Sequence, residues 1–120
     1  MRWSDETITL LDTTTDLGAQ LKCDLARVDA VIAGQLRGGL GPVDELCGEL
    51  SRYRGKMLRP TLVLLAASAS SPDCETTDRV DLAAAVVELI HMATLAHDDV
   101  LDEADLRRGG PTINRLHGNE

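Results

Sequence analysis

A run of acidic side chains followed closely by two arginines is the part of the sequence whose residue types could do chemistry. Residues 98–105 hold five carboxylates in eight positions, and Arg107 and Arg108 follow after one leucine. Carboxylate oxygens are hard ligands that suit magnesium or calcium better than zinc, and arginine forks match the geometry of phosphate groups. Acids for a metal beside arginines for phosphate are the arrangement expected of a diphosphate site.

The spacing of these acids predicts which of them could share a cation. If residues 89–102 form one helix, Asp98 and Asp102 lie one turn apart, with β-carbons about 5–6 Å from each other, and Asp99 is turned aside by about 100°. Acids at a helix C-terminus are unfavourable by roughly 0.3–1 kcal/mol each, and a divalent cation would reverse that repulsion. The alternative is a solvated charge run, which we favour less because the run directly continues an apolar helix.

Three basic or titratable residues elsewhere gain significance from the acidic run. Lys56 and Arg59 lie in the stretch Gly-Lys-Met-Leu-Arg-Pro, and His91 lies on the same helix as Asp98, seven residues earlier. Alone, the two cations would more often be exposed loop charges, and the histidine would more often be a satisfied core residue. Their occurrence together with the acids favours a binding site.

Helices are the elements that must position these residues. Apolar residues recur at helical spacing near the start of the chain, at Leu17, Leu21, Leu25, Val28, Ile32 and Leu36, and glycines from Gly38 onward end that pattern. Residues 61–69 and about 79–102 are apolar on nearly every side, which is typical of helices buried on all faces. Pro111 is expected to begin a further helix. With no repeat and no alternating strand pattern, the predicted class is all-α.

Composition limits the classes of partner. The 120 residues carry a net charge of −8, which argues against nucleic acid and against an anionic membrane surface. Three cysteines at uneven spacing fit neither a zinc site nor a disulfide framework, so we expect a reducing cytoplasm. We expect no signal peptide and no membrane span. Two helices that need full cover exceed what 120 residues can wrap, so a longer parent chain or a partner subunit is expected to cover them.

Three stretches resemble the trans-prenyl diphosphate synthases, or polyprenyl synthetase family. GKMLRP at 55–60 resembles the family motif GKRxRP, and ELIHMATLAHDD at 88–99 resembles the helix before its first aspartate-rich motif. DDVLDEADLRRG at 98–109 resembles that motif, DDxxD, with its arginine pair. The likeness continues through GGPTINRLHGN and covers roughly residues 15–120.

The resemblance implies the all-α isoprenoid synthase fold and a head-to-tail condensation of isopentenyl diphosphate with an allylic prenyl diphosphate, dependent on Mg²⁺. It implies metal-binding and catalytic roles for Asp98, Asp99 and Asp102, with Asp98 and Asp102 the favoured direct ligands. It also implies an allylic diphosphate contact at Arg107, and isopentenyl diphosphate contacts at Lys56, Arg59, His91 and Arg108. The small residues Ala93 and Thr94 stand where a bulky aromatic limits product length in the family, so a medium- or long-chain product is expected.

Two departures from the family pattern shape the remaining expectations. Met57 stands where an arginine is common, and a second aspartate-rich motif does not occur in these 120 residues. We therefore expect a flexible end at 1–15, an N-terminal portion of a synthase domain at 16–120, and no activity from this chain alone. A homodimer is expected for a full enzyme. The alternatives are a non-catalytic subunit of a heteromeric synthase and a helical module that binds divalent cations.

Overall fold

The computed structural model describes residues 15–37, 39, 41–71, 77–103, 106–107, 110–111 and 116. Its helices are α1 (Asp16–Gln35), α2 (Gly41–Leu50), α3 (Leu58–Ser70) and α4 (Asp78–Leu101), with a 3₁₀ turn at Ser51–Tyr53. Two strands of two residues each, β1 (Leu106–Arg107) and β2 (Gly110–Pro111), pair antiparallel. The predicted all-α class is confirmed.

The described residues fall into two compact units. The first takes α1 up to Gly34 and the stretch Gly55–Glu88, and the second takes Gln35–Arg54 and the described residues from Leu89 onward. Helix α4 therefore contributes its first part to one unit and its last part to the other. The flexible end expected at 1–15 falls on residues 1–14 outside the described part of the chain, and the domain limits remain a prediction.

Helix α1 begins at a side-chain cap and buries one face. The Gly18 amide donates to the Thr15 hydroxyl at 3.1 Å, and Asp16 adds an acid to the first turn, where the helix dipole favours negative charge. Thr15 thus caps the first turn of the helix. The predicted apolar face is buried at Leu21, Leu25, Val28 and Ile32.

The first and last residues of that predicted face, Leu17 and Leu36, are not part of the buried stripe. Leu17, in the first turn, is 51% exposed, and Leu36 follows the last helical residue. The buried stripe is therefore shorter than the periodic pattern.

An ion-pair cluster connects α1 to α4 inside the first unit. The Arg27 guanidinium donates to Asp24 at 2.6 Å and to Asp81 at 2.8 Å. Both carboxylates are buried, at 3% and 4% residue exposure. The hydrogen bond to Asp81 and then that to Asp24 raise the pKa of Arg27 further above its usual value. Buried charges need such pairing, so Arg27 allows two acids to lie within the core.

Helices α3 and α4 each leave apolar side chains exposed. On α3, Leu64 is fully buried while Leu62 is 66% exposed; on α4, Ala84 and Ala85 are buried while Ile90 is 59% exposed. The expectation that both helices are buried on every face is therefore not met within the described residues. The exposure of these apolar side chains agrees with the expectation that 120 residues are too few to cover both helices.

The second unit contains α2, the 3₁₀ turn and the end of α4. Its buried side chains include Tyr53, Met92 and Asp99. Pro111 pairs with Leu106 in the two-stranded ribbon, so the prediction that it begins a helix is wrong. Proline suits the first position of a helix and also an edge strand, and its sequence neighbours do not separate the two.

Helix α4 is, within the part of the chain that the structure describes, one helix whose length and composition would let it cross a membrane. Core helices of soluble proteins pass the same test. The sequence predicts no membrane span, because Asp81 and Glu88 interrupt the apolar residues of this segment. The length and mean composition of the helix nevertheless meet the requirement.

Candidate metal and diphosphate sites

The acidic motif lies at the C-terminal end of α4. The Asp102 amide donates to the Asp98 carbonyl at 2.8 Å, so the helical turn continues through Asp102 after the last helical residue, Leu101. Asp98 and Asp102 are exposed, as expected for two acids one turn apart, and Asp99 is 2% exposed. The pair predicted to share a cation is thus open to a ligand, and Asp99 lies on the buried side of the helix.

The end of this helix concentrates negative charge. The last turn of the described helix contains no basic residue, and the helix dipole adds partial negative charge at that end. Glu103 follows in the left-handed region at φ 51°, a conformation that favours glycine at helix ends. Acidic side chains at a helix end, with a strained residue beside them, are costly for a purely structural segment, and a bound cation would offset that cost.

The donor set fits a magnesium ion that is also held by a substrate. Within the described residues, no group of three or more His, Cys, Asp or Glu side chains is placed to hold a metal. Magnesium, however, is commonly held by one or two carboxylates together with waters and substrate phosphates. Asp98 and Asp102 fit that requirement, because both are exposed carboxylates with oxygen donors. The burial of Asp99 favours a supporting position for it, and its ligand role remains a prediction.

Three other predicted residues share α4 with the acids. His91 is partly exposed, and Ala93 and Thr94 are exposed. The Thr94 hydroxyl donates to the His91 carbonyl at 2.7 Å, which satisfies it within its own helix. These two positions of α4 are therefore exposed and carry small side chains.

The predicted diphosphate cations lie at the start of α3. Lys56 precedes the helix and Arg59 occupies its first turn, and both are exposed. The residue before the helix, Met57, makes no side-chain cap, and the first turn contains no acid. The partial positive charge of the helix start therefore adds to that of two cationic side chains, which favours an anion there.

Met57 itself has an unusual conformation that the sequence did not predict. Its φ is 56°, in the left-handed region, although its side chain is 5% exposed and buried in the first unit. Such a conformation costs a residue with a β-carbon roughly 1–2 kcal/mol. The Thr61 amide and hydroxyl both donate to the Met57 carbonyl, at 3.1 and 2.8 Å.

The sequence did not predict the hydrogen bonds that Thr61 donates to Met57. The one available signal is its place directly after the GKMLRP stretch, because Ser and Thr inside a helix can donate to the carbonyl four residues earlier. Among the residues that the structure describes, Met57 and Glu103 are the non-glycine residues with positive φ. One adjoins the predicted cations and the other adjoins the predicted metal ligands, and strain of this kind clusters at functional sites.

The two arginines after the acidic motif are described incompletely. The Arg107 backbone lies in β1, opposite Gly110, and its side chain is outside the described part of the structure. Arg108 also lies outside the described residues. Their diphosphate contacts therefore remain predictions. The structure places Lys56 and Arg59 in the first unit and His91, Asp98 and Asp102 in the second.

Comparison with known proteins agrees with this arrangement of motifs. The family described as polyprenyl synthetase matches residues 42–120. Heptaprenyl diphosphate synthase component 2 of Geobacillus stearothermophilus is 44% identical over 99 residues, which cover 82% of this chain and 30% of that protein. Octaprenyl diphosphate synthase of Escherichia coli (strain K12) is 40% identical over 109 residues, which cover 91% of this chain and 32% of that protein.

A third relative extends the range of names. Nonaprenyl diphosphate synthase of Mycobacterium tuberculosis (strain ATCC 25618 / H37Rv) is 38% identical over 102 residues, covering 84% of this chain and 30% of that protein. The fold is all-α and consistent with the isoprenoid synthase fold. Its helices carry the carboxylate pair at the end of α4 and the two cations at the start of α3. The chain is a member of the polyprenyl synthetase family, a family that generally depends on divalent metals. It spans about a third of the length of the curated relatives that it matches.

Proposed function

We propose that the protein acts in a polyprenyl diphosphate synthase, which condenses isopentenyl diphosphate head to tail with an allylic prenyl diphosphate in a Mg²⁺-dependent reaction of isoprenoid biosynthesis. The observation that carries this proposal is the exposed pair Asp98 and Asp102 at a helix end whose last turn contains no basic residue, in a chain of this family. Two exposed carboxylates one turn apart repel each other, and a metal with a diphosphate would offset that repulsion.

Each residue has a role in this proposal. Asp98 and Asp102 hold magnesium, which when bound supplies positive charge to a departing diphosphate. Arg107 contacts the allylic diphosphate, and isopentenyl diphosphate is held by Lys56, Arg59, His91 and Arg108. Asp99 supports the metal ligands from the buried side of α4. Fixed cations and dipoles of this kind stabilise developing charge without reorganising during the reaction.

The exposed surface before Asp98 supports a medium- or long-chain product. Ala93 and Thr94 are small, and the Thr94 hydroxyl is satisfied within the helix, so these two side chains present neither bulk nor an unsatisfied hydroxyl to a growing hydrocarbon tail. Heptaprenyl, octaprenyl and nonaprenyl products stand in the names of the relatives. We therefore propose a product in that range rather than farnesyl diphosphate.

The proposal includes partners and a compartment. We infer that the remainder of a synthase or a partner subunit completes the site, and that the full enzyme is a homodimer. The word "component" in the name of one relative supports a subunit arrangement for that relative. The alternative of a non-catalytic subunit is less favoured, because such a subunit does not need the carboxylate pair. We propose a cytoplasmic location, in which Cys23 and Cys47 stay free, as they are in the structure.

A chimera tests the proposed function directly. The aligned segment of the Escherichia coli octaprenyl diphosphate synthase is replaced by this chain, and the product is analysed by chromatography after incubation with isopentenyl diphosphate, an allylic diphosphate and magnesium. We expect a chain-elongating enzyme that loses turnover when Asp98 and Asp102 are both changed to asparagine. A chimera that unfolds cooperatively, as the parent enzyme does, yet elongates nothing contradicts the proposal.

A further inference from the structure

A single residue of α3 holds the carbonyl of Met57 with two hydrogen bonds. The amide of Thr61 donates to it at 3.1 Å, and the hydroxyl of Thr61 donates to the same oxygen at 2.8 Å in a buried bond. The direction of that carbonyl depends on the ψ angle of Met57, which is 30°. Both bonds therefore restrict the backbone rotation that connects Met57 to the start of the helix.

The rest of Met57 is restricted by packing. Its side chain is 5% exposed, within the core of the first unit, while its φ of 56° lies in the left-handed region. A methionine gains nothing intrinsic from that conformation. With the side chain buried and the carbonyl held by Thr61, the residue cannot return to a common conformation unless one of these interactions breaks.

Met57 stands between the two cations of the proposed diphosphate site. Lys56 directly precedes it and Arg59 follows two residues later, and both side chains are exposed. Rotation about the Met57 backbone would change the direction of Lys56 relative to α3, and thus relative to Arg59. We propose that Thr61 is a positioning residue for the isopentenyl diphosphate cations, because it fixes the turn from which Lys56 and Arg59 extend. This inference rests on the proposed function of those two residues.

The same helix provides a matched control. The Ser70 hydroxyl donates to the Ala66 carbonyl at 2.8 Å, again from a residue to the carbonyl four positions earlier, but at the exposed C-terminal end of α3. That bond is chemically similar and lies at the opposite end of the helix from Lys56. If such bonds act only by stabilising the helix, loss of either hydroxyl should have the same kind of effect on binding. If Thr61 positions the cations, only loss of the Thr61 hydroxyl should weaken binding.

The experiment measures isopentenyl diphosphate binding by calorimetry and thermal unfolding by circular dichroism on the chimera with the Escherichia coli octaprenyl diphosphate synthase, which supplies the rest of a synthase. The variants are Thr61→Val, which keeps the branched shape and removes the hydroxyl, Thr61→Ser, which keeps the hydroxyl, and Ser70→Ala. Lys56→Ala and Arg59→Ala are measured beside them. We expect Thr61→Val to weaken binding by about three- to tenfold, the equivalent of one hydrogen bond. Thr61→Ser should restore most of the affinity, and Ser70→Ala should leave it unchanged.

The outcomes separate this inference from the proposed function. One outcome is that Lys56→Ala and Arg59→Ala weaken binding whereas Thr61→Val leaves the affinity unchanged, whether or not it lowers the unfolding temperature. The positioning role of Thr61 would then be wrong, and the diphosphate site would stand. If the unaltered chimera does not bind isopentenyl diphosphate, or binds it equally well without Lys56 and Arg59, the proposed site fails and the inference fails with it.

Discussion

At the scale of single residues, the exposure of the three motif aspartates separates two roles. Asp98 and Asp102 are exposed one turn apart, whereas Asp99 is 2% exposed. We expect Asp98→Asn and Asp102→Asn each to weaken magnesium binding in the presence of inorganic diphosphate by at least about tenfold, since even residues that merely support a metal ligand commonly contribute 10–100-fold. Calorimetric titration of the variants with magnesium at fixed diphosphate measures the effect.

The neighbouring acid Glu103 is the control for those two variants. It is exposed and carries the same charge, but it is not among the predicted ligands. Glu103→Gln should therefore change the magnesium affinity much less than either aspartate variant does. Equal losses for all three variants would show that the acidic run attracts cations by its general charge, and the assignment of two ligands would then be wrong.

At the scale of helices, the Arg27 cluster connects α1 to α4 in the first unit by an ion pair. Arg27→Ala leaves the buried Asp24 and Asp81 carboxylates without the guanidinium that compensates them. We expect the free energy of unfolding to fall by about 1–3 kcal/mol. This value is lower than for a fully buried pair, because the Arg27 side chain is 47% exposed. Denaturant unfolding followed by circular dichroism checks it.

A second arginine variant gives the reference for that loss. Arg37 is exposed after the end of α1, so Arg37→Ala should change the free energy of unfolding by less than about 0.5 kcal/mol. Equal effects of the two arginine variants would contradict a structural role for the cluster.

The raised pKa of Arg27 keeps the side chain charged at every pH below its ordinary pKa. The stability that its charge contributes is lost only as pH rises through the folded-state pKa.

The elements that the sequence predicts well are those that local periodicity determines. Spacings of three and four predict the buried stripe Leu21, Leu25, Val28 and Ile32 of α1, and the one-turn separation of Asp98 and Asp102. The pairing of Arg27 with Asp81 was not predictable, because it joins residues 54 positions apart. The left-handed conformation of Met57 was not predictable either, since burial and the bonds from Thr61 impose it against the preference of methionine.

At the scale of the whole molecule, the 120 residues contain one aspartate-rich motif. The resemblance to the family implies that a second such motif completes the metal site, so a single carboxylate pair lacks part of the charge needed to ionise an allylic diphosphate. We expect the purified 120-residue chain to show no prenyl transfer from an allylic diphosphate to isopentenyl diphosphate in a radiometric assay. Turnover by this chain, purified free of host synthases and abolished by Asp98→Asn, would contradict that expectation.

Product length is also a property of the whole molecule, because under the proposed function a growing hydrocarbon passes along α4 away from the metal. Ala93 and Thr94 are small and exposed, and the chain contains no phenylalanine. In the chimera with the octaprenyl diphosphate synthase, Ala93→Phe should shorten the product, because the added ring fills volume that an apolar tail would occupy. Ala26→Phe makes the same change at an exposed position of α1 and should leave the product unaltered. Chromatography of the dephosphorylated products compares them, and an unchanged product from an active Ala93→Phe enzyme would mean that the tail follows another path.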